Sequence, residues 1–158
     1  MAVNFNANEI FEIAKQIEVN GAKFYRESAD LVADAAHKEF LLELAAMEDD
    51  HEQTFADMQK DLQDEEKAAT AFDPTDESVL YLKALADTRV FFEKENPGAD
   101  MKAILACAIA AEKDSFTFYL GMKELVTAKL GKDRIDDIIK EEMSHIKLLA
   151  GKLMDIAA

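Results

Sequence analysis

Residues 47–52 read MEDDHE and residues 141–146 read EEMSHI, and each stretch holds a Glu followed three residues later by a His: Glu48 with His51, and Glu142 with His145. The whole chain has 3 histidines, so two of them are spent on one pattern. On an α-helix, residues three apart lie one turn along and about 60° apart in azimuth, so each pair aims a carboxylate and an imidazole at one neighbourhood. Each pair can chelate a cation.

Working outward, Ile10, Ile13 or Ala14, Ile17, Gly21, Phe24, and Ser28 with Leu31 recur at helical spacing, which predicts a helix over about 8–33. A turn near 34–36 leads into Phe40, Leu41, Leu44, Met47, His51, Phe55, Met58 and Leu62, a second helix reaching about 66. Pro74, followed by Asp76 and Glu77, marks a crossover over 67–98. Within it, Val79, Leu82, Leu85, Ala86, Val90 and Phe91 predict a short amphipathic helix near 77–95, stopped by the Pro97-Gly98 punctuation. A third helix then runs from Ala99 or Asp100 to about 128, and a fourth occupies about 132–156 beyond Gly131. The expectation is one all-α domain over 1–158: a four-helix bundle of two antiparallel hairpins, 8–66 and 99–157.

A further Glu precedes each pair, Glu18 before Glu48 and Glu112 before Glu142, by 30 residues in both cases. With the first turn near residue 35, Glu18 and the Glu48/His51 pair each stand roughly 22–25 Å from it at 1.5 Å per residue, hence at similar height on adjacent helices. Adding 94 to a residue number superposes the two halves: Ala14 on Ala108, Glu18 on Glu112, Phe24 on Phe118, Tyr25 on Tyr119, Leu41 on Ile135, Leu44 on Ile138, Glu48 on Glu142 and His51 on His145. Duplication accounts for the matching apolar positions. It does not account for polar residues kept at core-facing positions in both copies, because each unpaired buried carboxylate costs several kcal/mol. Cations offset that cost, so metal binding is the expectation.

Composition narrows the remaining classes. Glycine (5) and proline (2) are scarce, which favours helix. A net charge of −15 disfavours nucleic acid and anionic lipid as partners, since both are held by clustered Lys and Arg. The one cysteine, Cys107, excludes an internal disulfide and a Cys-rich metal site, and fits a reducing cytoplasm. Its surroundings, ILACAIAAE, predict a buried, inert thiol. The start, MAVNFNANEI, has no signal-like pattern, and the longest apolar run, 103–111, falls short of the roughly 20 residues that span a bilayer. The methionines at 47, 58, 101, 122, 143 and 154 read as core filler, and His37 as a surface residue.

One Glu from each of two helices, with Glu-x-x-His from each of the other two, resembles the ligand pattern of ferritin-like di-iron and di-manganese carboxylate proteins. Within that group, AIAAEKDSFTFY (108–119) and EEMSHIKLL (141–149) look like the rubrerythrin branch, over essentially the whole chain. The resemblance implies that Glu48 and Glu142 bridge two metals, that Glu18 and Glu112 are terminal carboxylates, and that His51 and His145 each supply a nitrogen. Oxygen and imidazole donors suit iron, with manganese an alternative, and zinc binds tightly enough to occupy such a site in purified protein. Tyr25 and Tyr119 follow Glu18 and Glu112 by seven residues on the same helical face; each either donates a hydrogen bond to a ligand carboxylate or simply fills the core.

Two departures from the rubrerythrin pattern are visible. Rubrerythrins typically carry an additional Glu three residues after the third-helix ligand, where this chain has Ser115. They commonly carry a rubredoxin-like module with paired Cys-x-x-Cys motifs, which one cysteine cannot build. The resemblance therefore implies an oxidoreductase that reduces peroxide or dioxygen with electrons from an external donor protein, and a homodimer. A ferritin-like ferroxidase acting on ferrous iron, and a metal-free helical interaction protein, are the alternatives. The segment LYLKALADTRVFF (80–92), with Phe91 and Phe92 adjacent, would cover an oligomer interface or pack around the crossover.

Overall fold

The computed structural model describes residues 7–61, 77–88, 97–125 and 131–157. Five helices account for nearly all of them: α1 (Ala7–Leu31), α2 (Ala35–Lys60), α3 (Glu77–Thr88), α4 (Met101–Leu125) and α5 (Lys132–Ala157), and no strand occurs among the described residues. α1 packs on α2 and α4 on α5, giving two hairpins, while α3 packs on α4. The all-α bundle read from the sequence is the architecture found.

Local chemistry sets the helix starts. Asp34 caps α2: its backbone is extended (φ −72°, ψ 123°), and its side chain accepts a hydrogen bond from the backbone N–H of His37 at 3.0 Å, satisfying one of the four donors a helix leaves unpaired. His37 lies partly exposed in that first turn. Gly131, at φ +101°, adopts the left-handed conformation that glycine tolerates without strain, and its carbonyl accepts from the N–H groups of Arg134 (2.9 Å) and Ile135 (3.2 Å) to open α5.

The apolar faces meet in two clusters stacked along the bundle. One joins Ile10, Phe11, Ala14 and Ile17 of α1 to Phe55 and Met58 of α2, Phe118, Tyr119 and Met122 of α4, and Ile135, Ile138 and Ile139 of α5. The other joins Tyr25, Ala29, Leu41, Leu44, Ala45, Ile104, Leu105, Ala108 and Leu149 at the opposite end. Between them lies a layer of buried polar side chains: Glu18, Glu48, His51, Glu112, Ser115, Glu142 and His145. Burying a large aliphatic or aromatic side chain contributes about 1.5–3 kcal/mol, so the two clusters supply the stability from which the polar layer subtracts.

α3 is fastened to α4 by close approach. Leu82 is fully buried and enters the first cluster, and Tyr81 Oη donates to the Thr117 carbonyl at 3.4 Å. A Cβ placed on Gly121 would stand 2.7 Å from Leu82 Cδ2 and 2.9 Å from Tyr81 Cδ1, so the absence of a side chain there permits the contact.

Some sequence expectations are corrected. Met58, Met101 and Met122 are core residues, but Met47, Met143 and Met154 are 37%, 55% and 72% exposed, because they sit on the flanks of α2 and α5 beside the apolar stripe. Cys107 is half-buried rather than buried. The expected helix ends near 66, 95 and 128, and Val90, Phe91 and Phe92, lie outside the described residues. No helix among the described residues is long and apolar enough to cross a membrane.

The α3–α4 contact gives a direct test. Gly121→Val should lower unfolding stability of the metal-free protein by about 1–3 kcal/mol through overpacking, measured by urea denaturation.

Candidate metal centre

Each of the four long helices contributes to the polar layer: α1 gives Glu18, α2 Glu48 and His51, α4 Glu112, and α5 Glu142 with His145, all buried. Helical spacing explains why they are inside. Each continues the apolar stripe of its own helix, as Glu18 does between Ile17 and Ala22, and Glu142 does between Ile138 and Leu149.

The six side chains form two overlapping groups, Glu18, Glu48, His51 and Glu142, and Glu48, Glu112, Glu142 and His145. Within each group, one potential ligand atom from every residue lies within 4.8 Å of the others. Glu48 and Glu142 belong to both. His51 Nδ1 stands 3.0 Å from Glu142 Oε1 and 3.5 Å from Glu18 Oε2, and His145 Nδ1 stands 3.5 Å from Glu48 Oε1 and 3.7 Å from Glu112 Oε1. Each imidazole thus faces one carboxylate of its own hairpin and one of the other. The rings stack nearly parallel, with centroids 5.3 Å apart.

These approaches do not satisfy the groups involved. Glu18 Oε2, both oxygens of Glu142, His51 Nδ1 and His145 Nδ1 are buried without a hydrogen-bond partner. An orphaned buried polar atom costs about 1–3 kcal/mol, more when charged, so five converging on one space are a large local deficit. Oxygen and imidazole donors arranged in two groups with shared carboxylates fit a pair of divalent cations.

The two tyrosines hold the outer carboxylates crosswise. Tyr25 of α1 donates from Oη to Glu112 Oε1 of α4 at 2.6 Å, and Tyr119 of α4 donates to Glu18 Oε1 of α1. Of the two options open in the sequence, they make the hydrogen bond, and each bond ties one hairpin to the other. Burial raises both phenols well above their ordinary value, and the neighbouring carboxylates, first Glu112 for Tyr25 and Glu18 for Tyr119, raise them further. They are donors throughout the physiological range.

Without a cation, protons and imidazolium carry the neutralisation. Burial, and then the Glu18 and Glu112 charges, hold Glu48 well above the usual carboxylate range, and burial with Glu112 does the same to Glu142. Burial opposes a charge on His51, but Glu142 and Glu18 outweigh it and push the ring up to about 11. Burial likewise pushes Glu112 up, yet its contacts with Glu142, His145 and Glu48 bring it down to about 2.

Ser115, at the position of the additional rubrerythrin Glu, is buried in this layer and spends its hydroxyl on the Ala111 carbonyl of its own helix at 3.1 Å. One residue escaped the sequence reading. Glu141 of α5 places its carboxylate on His51 Nε2, and its side chain is 60% exposed. No helical pattern within α2 or α5 points to a contact that depends on how the two helices are set against each other.

The fold and the site together define a ferritin-like helical bundle with a buried carboxylate–histidine centre. The chain belongs to the rubrerythrin family, whose model matches residues 9–154. Among solved structures, the fold is similar to that of a Thermotoga maritima protein described as a ferritin-like diiron-carboxylate protein, at a TM-score of 0.69 and 22% sequence identity, with 95% of each chain covered. No curated protein matches the chain.

Two outcomes follow from the site. Glu48 and Glu142 bind protons more tightly folded than unfolded, so they contribute stability that is complete below their ordinary 4.5 and is lost as pH rises through their raised values. His51 acts in the same sense between 6.5 and about 11, while Glu112 acts oppositely only below its ordinary 4.5. The melting temperature of metal-free protein should therefore rise as pH is lowered from about 8 to about 6, and divalent metal should reverse the slope because ligands must be deprotonated. Tyr119→Phe removes the donor to Glu18 and should cost the metal-free fold about 1–3 kcal/mol in chemical denaturation.

Proposed function

We propose that the chain is a dinuclear metal protein of rubrerythrin type that binds two iron ions and acts as an oxidoreductase, reducing peroxide or dioxygen with electrons from an external donor protein. The observation that carries the metal reading is the convergence of five buried, unpartnered oxygen and nitrogen atoms between two apolar clusters. Glu48 and Glu142, common to both four-residue groups, would bridge the ions; Glu18 with His51 would complete one position, and Glu112 with His145 the other. Manganese suits the same donors, and zinc can compete for them in purified protein.

When bound, a pair of ferrous ions supplies the two electrons that, with two protons, reduce one hydrogen peroxide to two waters. The protein's part is orientation and exclusion. Tyr25 and Tyr119 fix Glu112 and Glu18, the clusters above and below exclude bulk water, and the raised affinity of Glu48 and Glu142 for protons makes them the groups that release protons when cations enter.

A second reading is favoured by Ser115. With no carboxylate at that position, the donor set stays at six, and the same residues serve a ferroxidase for which ferrous iron is substrate.

The deciding measurement is metal per chain by mass spectrometry, on protein purified without oxygen and reconstituted with ferrous iron. About two irons are expected for the parent and clearly fewer for Glu48→Ala and His51→Ala, in line with a ferritin-like two-metal site. Equal metal in all three proteins would refute the site. Peroxide consumption at a constant two irons would favour the first reading, and iron uptake well beyond two per chain the second.

A further inference from the structure

Glu141 immediately precedes Glu142 on α5, and adjacent helical residues leave the axis about 100° apart, so the two carboxylates serve different places. Glu142 turns into the centre. Glu141 stays 60% exposed, yet its Oε2 meets Nε2 of His51, whose side chain is 3% exposed. The other ring nitrogen, Nδ1, faces the converging carboxylates and has no hydrogen-bond partner. An anionic acceptor at Nε2 holds a ring proton there, so the proton given up when a cation binds is the one on Nδ1, the nitrogen that faces inward.

The internal repeat shows what the other half lacks. Adding 94 carries Glu48 to Glu142 and His51 to His145, and subtracting 94 from Glu141 leads to Met47. A thioether is a weak acceptor without charge and cannot orient or polarise an imidazole as a carboxylate does. The ligand residues are repeated in sequence, and the carboxylate of Glu141 is not.

We propose that Glu141 is a positioning residue for His51, and that it makes the two halves of the centre unequal, with the cation beside His51 held more tightly than the one beside His145. This rests on the metal reading above. Glu141 acts by fixing the ring plane before a cation arrives and, once one is bound, by holding the remaining ring proton on Nε2, which makes Nδ1 a stronger donor. Because its side chain is 60% exposed, Glu141 avoids the desolvation cost borne by the six inner residues.

The test is titration of metal-free protein with cobalt(II), followed by calorimetry and by visible absorption, which reports each ion's ligand environment. The parent should take two ions in resolved steps of different affinity. Glu141→Ala should weaken the tighter step about 10–100-fold and leave the weaker one in place, so that the steps converge. Glu141→Gln, which keeps an acceptor oxygen but no charge, should fall between. Met47→Glu should tighten the weaker step and shift the spectrum of that ion alone. A general structural role would move both steps together and would show no rescue by the glutamine.

Two equal steps in the parent, or an unchanged tighter step in Glu141→Ala, would overturn the inference while leaving the dinuclear site intact. Failure of the metal reading itself would look different: the parent would bind no cobalt, or binding would persist undiminished in Glu48→Ala.

Discussion

Four carboxylates buried at one level of a helical bundle set the terms for the rest of the molecule. Removing an ionised carboxylate from water costs several kcal/mol even after relaxation, and here four such groups share a space with two imidazoles. The charge must be cancelled locally, and the chain itself provides two phenolic donors and two rings. That leaves five buried atoms unpartnered, the deficit that the proposed pair of cations would meet. The apolar clusters on either side follow from the same constraint, since a polar layer of this size needs large flanking cores to hold it closed.

The duplicated hairpin converts this constraint into geometry. Because each half carries the same spacing, Glu18 and Glu112 come to equivalent positions, as do the two Glu-x-x-His pairs. The contacts run across the halves rather than within them: Tyr25 reaches Glu112, Tyr119 reaches Glu18, and each histidine approaches a carboxylate of the opposite hairpin. Neither hairpin could satisfy its own polar residues alone. The polar layer is thus also the element that fixes how the two hairpins are registered against each other.

Much of this was legible in the sequence because helical periodicity is local. The spacing of Glu48 with His51, repeated at Glu142 with His145, places both side chains inward, and a turn near residue 35 brings Glu18 level with them, so the six inner residues could be read directly. Features that depend on the rotation of one helix against another could not. Met47, Met143 and Met154 lie near the apolar stripe in sequence and outside it in space, and Cys107 is only half covered. Glu141 is the sharpest case: on its own helix it is an ordinary exposed acid, and only the setting of α5 against α2 brings it to His51. For Tyr25 and Tyr119, spacing fixed the face but left open whether the hydroxyl found a partner.

The repeat also bears on Ser115. Subtracting 94 from 115 leads to Gly21, so the position three residues beyond the first Glu is small in both hairpins. A Cβ on Gly21 would lie 3.4 Å from Glu48 Cδ and from its Oε2, which places that glycine directly against the shared carboxylate of its own half. Ser115, with its hydroxyl turned back onto the Ala111 carbonyl, likewise offers little bulk and no free acceptor charge. The missing seventh carboxylate is therefore not an isolated exchange in one half. At Gly21 even a Cβ would already touch the shared carboxylate, so a longer acidic side chain there would have to displace Glu48. Among the described residues, the six inner donors are repeated between the halves, while Glu141, which meets His51, corresponds in sequence to Met47.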